Sequence, residues 1–199
     1  MIPEVIRKLI KILMKFPSIG PRQATRLAFH LVHQEKSQLE NFEQTLKELQ
    51  KMRICPNCFF PYQGNYRLCP ICRDNSRDKH VITIVEKETD LISIEKTKTY
   101  KGNYLILGGL AKREMLEPAQ KQRLNALERR IKYELGGKVK EIVIALNPNT
   151  YGDFTFLLIK KQFENLADKI TRLGRGIPTG GEIEFADKQT LIEAFKRRS

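Results

Sequence analysis

Long apolar runs are missing from this chain. No stretch reaches the roughly 18 consecutive apolar residues that span a bilayer, so no membrane partner is expected. Residues 1–15 are apolar but punctuated by Lys8, Lys11 and Lys15, and no small-residue cleavage site follows, which argues against a secretory signal. Internal repeats and low-complexity tracts are absent too. What remains is a chain of 199 residues, 41% hydrophobic and 30% charged, long enough for one sizeable core or two small ones. Catalytic constellations are scarce. His30, His33 and His80 form no set with a serine or cysteine nucleophile, and there is no P-loop to hold a nucleotide. A soluble cytoplasmic protein is expected.

Acidic residues are the minority: 23 against 36 lysines and arginines, a formal net charge of +13. Such an excess attracts a polyanion, and nucleic acid is the usual one; otherwise the chain is simply a basic soluble protein. The charge is uneven. Residues 1–26 carry Arg7, Lys8, Lys11, Lys15, Arg22 and Arg26 against Glu4, whereas residues 35–48 hold four glutamates and two lysines.

The N-terminal part reads as helices. Ile2, Val5, Ile6, Leu9, Ile10 and Leu13 form a wide apolar stripe at helical spacing, suited either to packing within the chain or to pairing with another copy. A second helix follows with Ala24, Leu27, Ala28 and Leu31 on one face, and a third with Leu39, Phe42, Leu46 and Leu49. Between the first two lies Phe16-Pro-Ser-Ile-Gly-Pro21. Such a turn is either an ordinary packing corner or a phosphate-binding hairpin. In the second case Gly20 permits close backbone approach, the next helix offers its positive end, and Arg22 and Arg26 lie one turn apart. Contacts of this kind address the DNA backbone and not its sequence.

Cysteine is sparse but arranged. Cys55-Pro-Asn-Cys58 and Cys69-Pro-Ile-Cys72 are two CxxC pairs separated by ten residues. Each pair can present two thiolates on a tight turn, and two pairs complete a tetrahedral zinc shell with no open position, a structural site. The alternatives, two disulfides or four unrelated thiols, fit a reducing compartment and this spacing less well.

Beyond the cysteines, strand-like and helical stretches alternate. The strands centre on residues 81–85, 104–107, 142–146 and 170–173, the helices on 91–97, 124–135 and 157–166. This order predicts a parallel sheet with crossover helices. A last short helix, capped by Asp187, runs into the basic end Lys196, Arg197 and Arg198. The strand-to-helix layout is similar to a Toprim domain, whose enzymes place a Glu after the first strand and an Asp-x-Asp after a later one to hold Mg²⁺. Here Glu86 is present, but Asn147 and Asn149 replace the acid pair. Asp153 follows nearby. Amides supply oxygen without negative charge, so magnesium-dependent nuclease or primase chemistry is the disfavoured alternative.

In order, these pieces resemble the RecR family of recombination mediators over nearly the whole chain. The resemblance rests on the hairpin with Arg22, Ala24, Arg26, Ala28 and His30, and on both CPxC pairs. It continues through Arg77-Asp78, Asp90-Leu91, Ile94-Glu95, Tyr100 to Tyr104, Leu107-Gly-Gly109, Asn147-Pro148 and Gly152-Asp153. The end of the chain, Arg175-Gly-Ile-Pro178 and Gly180-Gly-Glu-Ile-Glu-Phe-Ala-Asp187, is the most specific stretch. The chain departs from the family at Ser18, where a hairpin glycine is usual, at Tyr151 and Phe154, and over residues 108–118.

The resemblance implies an α+β chain of several parts: a helix-hairpin-helix DNA-binding region (1–53), a small four-cysteine zinc module (54–79), an α/β Toprim domain with a parallel sheet (80–174) and a short C-terminal strand and helix segment (175–199). It implies a non-enzymatic repair mediator, associated with the nucleoid, that binds single-stranded, gapped or duplex DNA and helps load the strand-exchange recombinase. The partners it implies are RecO and RecF, with self-association to dimers or ring-like tetramers. Candidate residues are Cys55, Cys58, Cys69 and Cys72 for one zinc, and Gly20, Arg22, Arg26, Lys8, Lys11 and Lys15 for DNA. Glu86, Tyr151 and Asp153 are the candidates for partner contact.

Overall fold

The computed structural model describes residues 2–112, 115–174 and 176–196. Arg175 of the C-terminal motif and Arg197 and Arg198 of the basic end lie outside the described residues, as do Arg113 and Glu114 of the divergent stretch. The chain divides into two compact units, Met1–Met52 and Arg53–Ser199.

The first unit is helical. Helix α1 spans Glu4–Leu13, α2 Pro21–Val32 and α3 Lys36–Leu49. Pro3 is the N-cap of α1, and Glu4 in the first turn with Lys11 in the last agrees with the helix dipole. Gly20 is the N-cap of α2 and Pro21 its first residue, where a missing N–H is harmless. This unit hides little apolar surface. Ala24 and Ala28 are its buried core residues among those described, whereas Val5, Ile12, Phe16, Val32, Phe42 and Leu49 are exposed.

The second unit opens with a two-stranded antiparallel pair, β1 (Arg53–Ile54) and β2 (Pro61–Tyr62), and a single helical turn, α4 (Pro70–Arg73). The sheet then alternates with helices: β3 (Asp78–Val85), α5 (Glu88–Lys96), β4 (Gly102–Ile106), α6 (Pro118–Glu134), β5 (Val139–Ala145), α7 (Thr150–Phe163) and β6 (Ala167–Arg172). Its four strands lie in the order β4-β3-β5-β6, all parallel. A 3-10 turn at Ile183–Phe185 leads to α8 (Lys188–Lys196). Asp187 caps this last helix, accepting from the Thr190 N–H at 3.0 Å.

Period-two alternation divides the sheet's two faces. Ile82 and Ile84, Leu105 and Leu107, and Ile142 and Ile144 pack against Leu124, Leu127 and Ile131 of α6 and Ile159 and Phe163 of α7. Val85, Tyr104 and Ile106 face the other way, toward Leu91 of α5 and the cysteine module. Strands covered on both faces explain the near-continuous apolar runs. The strand after β3 lies to one side of it and β5 to the other, so the carboxyl ends of β3 and β5 flank the crevice where α/β sheets place their ligands.

Candidate functional site

The four cysteines converge. All are buried, and their sulfurs lie within 4.8 Å of one another. Cys58 and Cys69 approach to 3.5 Å, Sγ to Sγ. Sulfurs at tetrahedral corners about 2.3 Å from a zinc would stand about 3.8 Å apart, so the cluster has the size a single ion needs. Both knuckles are built by backbone hydrogen bonds. The Phe59 N–H donates to the Cys55 carbonyl at 2.9 Å and the Cys55 N–H to the Phe60 carbonyl at 3.0 Å. In the second knuckle Cys69 caps α4, its sulfur accepting from the Cys72 N–H at 3.4 Å. Hydrogen bonds from Cys58, Cys69 and Cys72 hold the Cys55 thiol down, while those to Cys55, Cys58 and Cys69, with burial added, push Cys72 up. Only a cation at the centre lets all four become thiolates together.

This module is tied to the sheet in two places. The Ile106 N–H, on the free edge of β4, donates to the Cys58 carbonyl at 2.9 Å. Phe59, at φ 64°, packs into the core beside it; the Arg123 guanidinium lies 5.0 Å above its ring and donates to the Ile106 carbonyl at 2.9 Å. The knuckle therefore covers an edge that would otherwise present unpaired backbone groups. On the other side Arg77 binds Glu95 of α5 through both nitrogens, at 2.9 and 2.5 Å, and donates to the Gly102 carbonyl at 3.1 Å. Tyr104 adds its hydroxyl to Glu95 at 2.7 Å. Burial works to raise the Glu95 carboxyl, but the hydrogen bonds from Arg77 and Tyr104 override it and hold it below the usual carboxylate range. Arg77 and Glu95 belonged to the sequence motifs without a role; their partnership crosses 18 residues and no local pattern reveals it.

The strand ends form a second candidate site. The Asn147 side-chain N–H donates to the Glu86 carboxylate at 2.6 Å. Asn149 accepts from the Gly152 N–H at 2.8 Å and so caps α7. A Cβ on Gly152 would stand 1.9 Å from the Asn147 carbonyl oxygen, so this turn admits only glycine. Asp153 pairs with Arg172 of β6. Glu86 and Tyr151 line one cavity of about 390 Å³ with Gly108, Gly109, Lys112 and Gln120. Asp153 is not among the residues that line it, so the structure joins two of the three partner candidates and turns the third toward Arg172. The carboxylate, the two amides and Asp153 thus each have a hydrogen-bonding or ionic role within the chain.

In the hairpin, Arg22 and Arg26 line a shallow depression of about 450 Å³ with Pro21 and Thr25. No side chain caps the start of α2, so the N–H groups of Arg22 and Gln23 have no acceptor within the helix. Gly20 at φ −84° has nothing within 4 Å of where a Cβ would sit. A methyl group here would meet open space, so no clash within the chain requires the glycine. Ser18 sits at φ 64°, the left-handed region that the family's usual glycine would occupy without strain. Lys8 pairs with Glu4 at 2.9 Å. Lys11 and Lys15 are exposed, and neither they nor Lys8 line the arginine depression.

Comparison with known proteins agrees with this layout along the chain. Residues 6–49 match the family model described as RecR, helix-hairpin-helix, residues 80–174 the Toprim domain, and residues 176–199 the model described as RecR, C-terminal. Among curated relatives, the Recombination protein RecR of Rubrobacter xylanophilus is 37% identical, covering 97% of this chain and 95% of its own. That of Gloeobacter violaceus is 36% identical (97% and 96%), and that of Moorella thermoacetica 38% (98% and 96%).

Proposed function

The chain belongs to the RecR family of recombination proteins, and from that premise we propose that it is a DNA-binding mediator of recombinational repair without catalytic turnover. Its substrate is the phosphate backbone of gapped, single-stranded or duplex DNA, bound without regard to sequence. It acts with RecO and RecF to help load the strand-exchange recombinase. One observation carries this reading: Arg22 and Arg26 frame an uncapped helix start beside an open Gly20, and neither arginine has an ion-pair partner among the described residues. Backbone N–H groups at a helix N-terminus, flanked by guanidinium groups, are suited to a phosphate. Lys8, Lys11 and Lys15 add to the field around them. No helix among the described residues is long and apolar enough to cross a membrane.

Each chain holds one structural Zn²⁺ on Cys55, Cys58, Cys69 and Cys72. The ion supplies folding energy to the module and leaves no position for substrate. Within residues 53–199 we assign 54–79 to this module, 80–174 to the Toprim domain and 175–199 to the C-terminal segment. Glu86, Tyr151 and Asp153 are assigned to partner contact. The alternative, a Mg²⁺-dependent Toprim nuclease or primase, would need acids where Asn147 donates to Glu86 and Asn149 caps a helix. The sparsely buried N-terminal helices favour self-association into a dimer or ring-like tetramer, since exposed apolar faces of this extent are stabilised by a second copy.

The test is a salt series of binding to gapped and fully paired DNA of several sequences. Arg22→Ala with Arg26→Ala is expected to weaken binding to all of them and to reduce the slope of log K against log salt by about one unit per lost contact. Unchanged affinity and slope would place the DNA site elsewhere.

A further inference from the structure

The zinc module carries a feature that metal binding does not use. Tyr66 stands at the tip of the loop between the two knuckles, 65% exposed. The loop beneath it is held by two side chains. The Tyr62 hydroxyl donates to the carbonyls of Tyr66 and Arg67 at 2.6 and 2.9 Å. Arg53 donates to those of Asn65 and Tyr66 at 3.3 and 3.4 Å. The Arg73 guanidinium lies over the Tyr66 ring, 3.9 Å from its centroid. An aromatic ring that packs into no core, on a loop pinned from below, is already ordered, so a ligand that stacks on it meets little entropic cost.

Charge points to the kind of ligand. From residue 53 to residue 73 there are three arginines, Arg53, Arg67 and Arg73, all exposed, and no acidic residue. Four thiolates around a dication contribute two negative charges, but these are buried at the sulfurs and not displayed beside the ring. Asp74, the next acid along, is turned to the Ser76 N–H at 2.9 Å and to Arg77. Exposed arginines around a presented aromatic ring are the elements with which proteins hold an unpaired strand: cations for the phosphates, a ring for the base.

We propose that Tyr66 and Arg73 form a stacking site for a base of single-stranded DNA, with Arg53 and Arg67 supplying phosphate contacts. A base in a duplex has both faces covered by its neighbours and cannot use such a site, so the module discriminates single strands from paired ones while the hairpin does not. This rests on the reading of the chain as a DNA-binding protein and adds to it a preference for unpaired strand.

The experiment uses the full-length protein with three ligands at one salt concentration: oligo-dT, an abasic oligonucleotide of equal length, and a blunt duplex. Tyr66→Ala is expected to weaken oligo-dT binding about tenfold, the loss of roughly one stacked base, while duplex affinity and bound zinc stay unchanged. Tyr66→Phe, which keeps the ring, binds oligo-dT as the unaltered protein does. The chain contains no tryptophan, so Tyr66→Trp places a single indole at the site; its emission is quenched by oligo-dT and not by the abasic strand. Unchanged oligo-dT affinity in Tyr66→Ala, an equal loss on duplex and oligo-dT, or equal quenching by the abasic strand would each overturn the proposal. Failure of the hairpin assignment shows separately, as duplex binding that survives Arg22→Ala with Arg26→Ala.

Discussion

Replacing Glu95 offers the sharpest test of how the zinc module is fixed to the sheet. In Glu95→Ala, Arg77 loses two charge-assisted hydrogen bonds and Tyr104 loses one, while Arg77 keeps only its contact with the Gly102 carbonyl and a longer one to Asp74. The side chains of Arg77 and Glu95 are 12% and 26% exposed, so the pair is neither a surface bridge nor fully desolvated. Surface pairs contribute about 0–1 kcal/mol and breaking a buried pair costs about 3–5 kcal/mol. The geometry is bidentate and a third donor is orphaned, so we expect a loss of about 2–3 kcal/mol in urea unfolding at neutral pH. Glu95→Gln keeps one acceptor and should lose less. Replacing both Arg77 and Glu95 by methionine should recover much of the loss, because no buried charge is then left alone.

The pH dependence follows from the same pair. The Glu95 carboxyl is held below its ordinary value of 4.5 in the folded chain. A group lowered by folding contributes stability above its unfolded pKa and loses it as pH falls through the folded one. The difference between the unaltered protein and Glu95→Gln should therefore be full at neutral pH and shrink below about pH 4.5. Because acid also protonates the zinc thiolates, the difference between the two proteins is the quantity to follow. Chelator-driven zinc release should also be faster in Glu95→Ala. A loss under about 0.5 kcal/mol, the range of an ordinary surface change, with unchanged release would refute the bracing role.

Three further outcomes can be measured on single variants. Cys58→Ser should abolish stoichiometric zinc in elemental analysis and expose the β4 edge that its carbonyl now occupies, seen as faster amide exchange at Ile106; full zinc content would count against the ligand set. Ser18→Gly should stabilise the N-terminal helices by about 0.5–1 kcal/mol in thermal melts, since it removes a left-handed residue that has a Cβ; a lower midpoint would show that the serine is held by something else. Gly20→Ala should leave folding intact, there being open space for its methyl group, yet weaken DNA binding by blocking backbone approach; full affinity would remove the glycine from the interface.

The sequence was most legible where a physical period or a fixed spacing acts over a few residues. Short, near-continuous apolar runs marked four strands, and the CxxC spacing marked the sulfur cluster, because both patterns are local. Element starts were less legible. Helix α6 begins at Pro118 and not near Leu124, because Gln120 accepts from the Glu117 N–H and a proline opens the first turn. Helix α7 begins at Thr150 and not near Leu157, because Asn149 is its cap. Asn149 stands where a Toprim enzyme has a metal-binding acid, yet here its side chain accepts from the Gly152 N–H and caps the helix. The braces Arg77–Glu95, Asn147–Glu86 and Arg172–Asp153 link residues far apart in sequence, so only the assembled sheet reveals them.

These braces bear on why the strand-end crevice and the zinc module do different work. A Toprim enzyme gathers carboxylates at the ends of β3 and β5 because a hard dication needs negative oxygen. Here the neighbour of Glu86 is an amide that donates a hydrogen bond to it, so the carboxylate is satisfied without an ion. Among the described residues, the group of side chains that could hold a metal is the buried sulfur set, a soft-ligand site suited to zinc. Its module is fastened to β4 by a backbone hydrogen bond and to α5 through Arg77, so an ion held there would stiffen the sheet edge, away from the strand ends. On the proposed reading, arginines would carry the contact with DNA: Arg22 and Arg26 at the helix start, and Arg53, Arg67 and Arg73 around Tyr66. Such contacts would hold a bound strand through its backbone without altering a bond in it, in keeping with the proposed mediator role.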